Sequence, residues 1–449
     1  MSAQNFQTPT DTVVIGMGDT GLSCIEYFTA RGIPVSIIDT RKEPPKLAEF
    51  KTQYPTVAVY TGGFPKEVLA KAKLVLLSPG IPKDHPDLMS TVSPKAEIIG
   101  DIELLARNIT APVISITGSN GKSTVTTLVG EMAKEAGCRV GIGGNIGVPA
   151  LSLLSPETEL YVLELSSFQL ETTYSLHSKA ATVLNLCPDH LDRYANLEEY
   201  KNAKLRIYEH CDQIIFNRDD PILPEKPNDS VQFLSFGLDK PEANQYGLIQ
   251  SEELWLARGE ERLLPTGECR IFGRHNMANA LAALALGESV GLPLDKMLSA
   301  IKCFKGLAHR CEWVRELRGV QWFNDSKGTN VGATIAALQG LGSHIPGKWV
   351  LIAGGLGKNA DFRPLVSPIQ QYCRAVVLLG TSASELFELL HSTVPCFLVK
   401  DMEEAVQTAS LQASPGDGVL LSPACASYDM FRHFEERGDV FKAMVRDLL

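Results

Sequence analysis

The sequence predicts an α/β fold spread over two to four domains, on three observations. Short continuous runs of Val, Ile and Leu alternate with helical stretches along nearly the whole chain, the pattern of buried parallel strands joined by crossover helices. Two of these runs end in glycine-rich turns that open a helix, one close to the start and one at residues 113–128. The length, 449 residues, exceeds what one hydrophobic core usually serves.

The formal charge of −10 argues against non-specific nucleic-acid binding, which needs basic stripes, but leaves anionic small substrates open. The first residues, MSAQNFQTPTDT, lack the basic-then-apolar build of a secretion signal, and no apolar run approaches a membrane span. Ten scattered cysteines include no C-x-x-C pair and fall mostly in apolar or helical contexts. The expectation is a cytoplasmic protein with reduced thiols, working as a monomer.

Strand-like runs fall at residues 12–15, 35–38, 74–77, 113–116, 160–165, 181–186, 213–216, 349–353, 375–379 and 418–421. After the first, Gly16, Gly18 and Gly21 form G-x-G-x-x-G, and Asp39 closes the next strand. Alone this reads as a dinucleotide fold with Asp39 on a ribose hydroxyl, which keeps an NAD-dependent oxidoreductase open; the same turn suits a UDP group. The loop at residues 77–82, with Ser78 and Gly80, also lies beyond a strand end, and a domain boundary is expected near Asp101.

The stretch VISITGSNGKSTVTTL is strand, phosphate-cradling loop and helix, the helix expected over residues 125–137. Gly118, Ser119, Asn120 and Gly121 let backbone N–H groups converge on phosphate oxygens, and the helix N-terminus adds a positive dipole end. Lys122 supplies a charge for the β- and γ-phosphates, and Ser123 or Thr124 a hydroxyl for Mg²⁺. The general pattern has a glycine where this chain has Ile116, so the match is to the shorter T-G-x-x-G-K-[ST].

Residues 141–150 read as a Gly/Pro loop presenting Asn145, and Glu164 stands near a strand end, where an acid suits Mg²⁺. Past residues 181–186 a Pro-Asp turn brings out His190 and Asp192, and Tyr200, Lys201 and Lys204 share the next helix. Residues 219–261 look like an irregular β region. The helix at 273–292 opens with Asn276 and Asn279, amides that can cap it or bind an adenine edge, capping being favoured from the residues alone. An amphipathic helix at 294–304 precedes a second boundary near 305–308. In the last unit, His309, Arg310, Asp325, Lys327, Thr329, Lys358, Ser422, Ser427, Tyr428 and Phe434 cluster where a parallel sheet presents its ligand face.

These residues resemble the Mur ligase family of amide-forming ligases in peptidoglycan precursor synthesis. The marks are TGSNGKST, Glu164 in LELSSFQL, DHLDRY, EEYKNAK, GRHNMANALAAL and AHR at 308–310, spread over essentially the whole chain. DTR at 39–41, NDSKGTN at 324–330, GGLGKNADF at 354–362 and SPACASYDMFRHFEERG at 422–438 are similar to the branch that adds D-glutamate. A folylpolyglutamate synthetase-like ligase shares the ATP module; DTR and SPACASYDMF argue against it.

The resemblance implies a Rossmann-like N-terminal domain (1–100), a central P-loop ATPase-like domain (101–306) and a Rossmann-like C-terminal domain (307–449), together joining D-glutamate to UDP-N-acetylmuramoyl-L-alanine with ATP. By the same resemblance Gly18, Thr20, Asp39, Thr40, Arg41, Ser78 and Gly80 hold the uridine nucleotide and Asn145 the muramoyl part. Residues 118–124, Asn279, Asp325 and Arg310 bind ATP. Lys122, His190, Lys204, Arg310 and Lys327 are catalytic. Two Mg²⁺ ions are held by Ser123, Glu164, His190 and a CO₂-derived carbamate on Lys204. Thr329, Lys358, Ser427, Tyr428 and Phe434, with Lys327, form the D-glutamate pocket. Gly328 stands where alanine is expected, and Tyr428 where leucine or phenylalanine is common.

Overall fold

The computed structural model describes residues 11–190, 193–224, 230–342 and 344–448. Three sheets follow one another along the chain. The first is all parallel, with Ala58–Thr61, Ser36–Asp39, Thr12–Ile15, Leu74–Leu77 and Glu97–Ile99 side by side. Its strand order reverses at Thr12–Ile15, and the glycine turn opens at that reversal, where such sheets bind ligands.

In the nine-stranded second sheet, Val113–Thr117 lies between Leu160–Glu164 and Ala180–Val183, parallel to both. Register pairs Ile116 with Glu164 on one side and with Thr182 on the other. The phosphate loop, Glu164 and the segment leading to His190 therefore leave the same edge as neighbours. In the third sheet Glu312–Leu317 and Val320–Asn324 form an antiparallel hairpin, and Gly418–Leu421 and Trp349–Gly354 continue the order in parallel. The ends Asn324, Leu421 and Gly354 are adjacent, so the three loops carrying Lys327, Ser427 and Lys358 emerge together.

Burial of apolar side chains drives the assembly. Helices Lys122–Glu135, Arg274–Ser289 and Leu294–Cys303 cover one face of the second sheet with Val125, Leu128, Leu281, Leu284 and Ile301. Its other face shares a core with the first sheet, where Met17, Ile25 and Ile102 meet Leu151, Tyr161 and Leu163. Two further cores line the faces of the third sheet, one around Trp349, Leu351 and Leu338, the other around Trp322, Val350 and Phe441.

Four expectations change. The phosphate-loop helix starts at Lys122 rather than 125, because left-handed Gly121 (φ 84°) turns the chain directly into its first turn. The expected loop at 141–150 begins as a strand, Val140–Gly144, on the edge of the second sheet against Leu160–Glu164. The strand expected at 181–186 ends at Val183; beyond it Leu184 and Asn185 still bond the backbone of Thr117 and Ser119, while the side chains of Asn217 and Asp220 brace Leu184 and Leu186. Residues 219–261 include regular strands, among them the antiparallel pair Tyr246–Gln250 and Leu254–Arg258.

Candidate active site

At the first sheet, Gly16 has φ +104°, and a Cβ on Gly21 would lie 1.8 Å from the Gly16 carbonyl oxygen, so the helix approaches the strand only because both are glycine. Asp39 is buried and fully engaged: it accepts the Met17 N–H (2.9 Å), the Arg41 N–H (3.0 Å) and the Arg41 guanidinium (2.9 and 2.8 Å). Burial alone would raise its carboxyl; the hydrogen bonds from Arg41 and Met17 hold it below the ordinary value. Gly18, Thr40, Arg41 and Gly80 are exposed around this turn, with Thr20 and Ser78 half-buried. None of these residues lines the cleft described next.

That cleft, of about 380 Å³, lies between the ligand edges of the second and third sheets. Its floor holds Lys122, whose Nζ donates to the carbonyls of Gly118 (2.9 Å) and Ser119 (3.0 Å). Lys204, 1% exposed, donates to the same Gly118 carbonyl at 2.9 Å and lies 4.5 Å from the centre of the Tyr200 ring. Burial first, then the nearby Lys122 charge, press the Lys204 amine well below its ordinary range; burial also lowers Lys122. Glu164 receives the Asn145 amide on Oε1 at 2.8 Å, while Oε2 is buried without a hydrogen-bond partner among the described residues. The His190 ring packs edge-on against Phe168 at 4.9 Å. Asp192 lies outside the described residues.

The opposite wall carries Lys327, Thr329, Lys358, Ser427, Tyr428 and Phe434. Lys327 sits 3.9 Å above the Phe434 ring, and burial followed by the charges of Arg310 and Lys122 brings its ammonium down to about 8. Arg310 reaches across to donate to Ser123 Oγ at 2.7 Å. Tyr428 is 68% exposed at the rim. At Gly328 a Cβ would come within 2.7 Å of both Asp325 Oδ2 and Ser422 Oγ, so the absent alanine methyl leaves room for their 2.6 Å hydrogen bond.

A second cavity of about 360 Å³ opens from the same floor and is lined by Gly121, Thr124, Asn279, Arg310 and Asp325. Burial raises the Asp325 carboxyl to about 6 although Ser422 and the Cys311 N–H donate to it. Neither asparagine caps its helix: Gly273 holds that position, Asn276 donates back to the Phe272 carbonyl, and Asn279 donates to Asn276. Asn279 is thereby turned toward Gly121 and the cavity.

Several residues here were not foreseen. Asn185 braces the phosphate loop, accepting the Asn120 N–H (2.8 Å) and donating to the Asn120 carbonyl (3.0 Å). Buried Arg437 ties the Lys327 loop to the Ser427 loop, donating to Ser326 and to the Cys425 carbonyl. Asn330 caps the helix Val331–Leu341, which the capping preference for Asn ahead of an alanine-rich run would have flagged. Arg437 carries no such signal, since a helical arginine between Glu and Gly reads as surface.

Known proteins carry the same architecture. Three domain models match the chain in order: Mur ligase MurD-like N-terminal domain over residues 10–100, Mur ligase middle domain over 116–287, and Mur ligase glutamate ligase domain over 309–425. The chain belongs to the Mur ligase family. Two relatives named UDP-N-acetylmuramoylalanine–D-glutamate ligase are half identical to it. That of Pseudomonas aeruginosa is 51% identical over 437 residues, 97% of this chain and 98% of the relative. That of Nitrosococcus oceani is 50% identical over 445 residues, 99% of this chain and 98% of the relative. The Mur ligase fold also appears in the solved structure of UDP-N-acetylmuramate–alanine ligase MurC from Thermotoga maritima, with TM-score 0.62 and 19% identity over 97% of this chain and 99% of that one.

Proposed function

We infer that this Mur ligase joins D-glutamate to UDP-N-acetylmuramoyl-L-alanine with ATP, a step of peptidoglycan precursor synthesis. One observation carries the chemistry: a phosphate loop and a buried carboxylate, one of whose oxygens has no hydrogen-bond partner among the described residues, form the floor of a cleft whose far wall presents Lys327 and Lys358. Half identity over nearly the full length to two D-glutamate ligases supports the substrates.

A carboxylate is a poor electrophile, so the alanine carboxylate first attacks the γ-phosphorus of ATP, forming an acyl phosphate and releasing ADP. The D-glutamate amine then attacks the acyl carbon, loses a proton, and the tetrahedral intermediate expels phosphate. The protein's task is charge neutralisation and in-line placement. Lys122 and Arg310 face the phosphates from the two sides of the floor. Lys327 and Lys358 counter the glutamate carboxylates as point charges, with Thr329, Ser427, Tyr428 and Phe434 shaping that pocket. Asn279 and Asp325 suit adenine and ribose in the adjoining cavity.

The donor set suits magnesium: Glu164 has a buried oxygen with no hydrogen-bond partner among the described residues, His190 lines the same cleft, and Ser123, whose Oγ accepts from Arg310, follows Lys122. Two bound Mg²⁺ ions would neutralise phosphate charge there. As a cation Lys204 cannot join that set. Burial presses its amine well below the ordinary range, toward the neutral form that is nucleophilic toward CO₂, and carbamylation would turn it into an anionic oxygen donor. At the first sheet, saturated Asp39 acts by holding Arg41 and the glycine turn in shape around the uridine nucleotide. Gly18, Thr20, Thr40, Ser78 and Gly80 complete that cradle, and Asn145 meets the muramoyl part.

The units are 1–100, 101–306 and 307–449, each with its own sheet. One chain supplies the whole cleft, which supports a working monomer, and all ten cysteines are free thiols, which suits the cytoplasm where ATP is made. No helix among the described residues is long and apolar enough to cross a membrane.

Phosphate release from ATP, with the UDP substrate and one amino acid per well, tests the reading. Release should require both that substrate and D-glutamate, not L-glutamate. Release with a folate and L-glutamate would transfer the chain to the folylpolyglutamate branch of this chemistry.

A further inference from the structure

We propose that Asn330 is a positioning residue that latches the third unit onto the phosphate loop, holding the D-glutamate pocket against the reacting carboxylate. This rests on the ligase reading for its kinetic consequence, but not for its geometry. Asn330 is 7% exposed. Its Oδ1 accepts the Ala333 N–H at 2.8 Å as the helix cap, and that bond fixes which way the amide faces. The Nδ2 must then point away from its own helix, and it donates to Asp189 Oδ2 at 3.0 Å across the cleft. Asp189 uses its other oxygen locally, accepting the His190 N–H at 2.9 Å. The Asn120 amide of the phosphate loop lies 3.4 Å away, and its backbone is the one braced by Asn185.

One side chain thus joins the start of the helix behind the glutamate pocket, the turn bearing His190, and the phosphate loop. Thr329, its neighbour in sequence, lines the cleft. A second crossing, from Arg310 to Ser123, starts nearer the beginning of the third unit and meets the pocket wall at Lys327, whose N–H donates to the His309 carbonyl at 3.0 Å. Loss of the Asn330 donor would leave the half-buried Asp189 Oδ2, among the described residues, with only His190 Nε2, 3.9 Å away, and free that wall to shift; a shift of about 1 Å in a reacting pair is enough to cost up to ~100-fold in rate.

The test exchanges donor and acceptor. Asn330→Asp keeps the cap, because Asp caps as well as Asn, but sets two carboxylates face to face. Asp189→Asn with Asn330→Asp restores the pair, since the amide introduced at position 189 can still accept the His190 N–H on its oxygen while its NH₂ donates to position 330. For Asn330→Asp we expect an unchanged unfolding midpoint and a larger radius of gyration by small-angle scattering. Its KM for D-glutamate should rise about tenfold or more, with the KM for the UDP substrate within about twofold of the parent. The double variant should recover both the radius and the glutamate KM. An unaltered radius in Asn330→Asp, or a folded double variant that stays expanded, overturns the latch whether or not the parent ligates D-glutamate. Absence of D-glutamate-dependent phosphate release in the parent would instead overturn the functional reading. If Asn330→Asp lost its cooperative transition, Asp189→Asn alone, which sets two amide donors face to face, must still expand the protein.

Discussion

Lys204 shows how burial, seconded by a neighbouring charge, can set a residue's chemistry. Removing an ammonium from water costs several kcal/mol unless an opposite charge compensates. Its contacts are the Gly118 carbonyl, the Thr117 hydroxyl at 3.4 Å and the Tyr200 ring, with no carboxylate at ion-pair distance among the described residues. Burial therefore favours the neutral amine, the form that reacts with CO₂. Lys204→Ala should lose nearly all ligation and recover part of it in added acetate or formate; full activity without rescue would falsify the carbamate role. Lys327 offers a pH signature. Its pKa of about 8 means that the cation dominates below that pH and the neutral amine above it. The KM for D-glutamate should therefore rise between roughly pH 7 and 9, while Lys327→Arg, charged throughout, should flatten the profile. Equal profiles for the two enzymes would remove Lys327 from carboxylate binding.

Among the elements, the two glycine turns do different work with similar letters. In the first sheet the close contact between Gly21 and Gly16 lets the helix Asp19–Ala30 begin against the strand. Gly21→Ala must displace backbone rather than a flexible side chain, which costs about 1–3 kcal/mol. Calorimetry should show a lowered unfolding midpoint, accompanied by a raised KM for the UDP substrate; an unchanged midpoint would mean the turn relaxes freely. In the second sheet left-handed Gly121 releases the first helical N–H groups toward the cleft. Both turns were legible, because strand, glycines and helix are contiguous in sequence. The edge strand Val140–Gly144 was not: its glycines suppress the apolar signal, and only pairing with Leu160–Glu164 makes it a strand.

For the molecule as a whole, the glycine turn of the first sheet and the cleft between the second and third sheets are separate places on one chain. Asp39→Ala should accordingly raise the KM for the UDP substrate more than that for ATP; initial-rate kinetics with each substrate varied in turn would show it, and a change confined to ATP would displace the nucleotide cradle from the first sheet. The sequence by itself determined the α/β class, the strand–glycine turn–helix order of the loop at residues 117–122 and which charged or hydroxyl-bearing residues follow strand ends, because local periodicity and glycine chemistry are written in contiguous letters. It could also place Lys122, Glu164 and Lys204 in one neighbourhood through the family resemblance. Only the tertiary structure decided that Glu164 keeps an unpartnered oxygen, that Asp39 is taken up by Met17 and Arg41, and that Arg437 and Asn330 bind loops together from behind. Those facts depend on which groups burial brings face to face, and for the distant pairs, such as Asp189 and Asn330, 141 positions apart, no local pattern encodes that meeting.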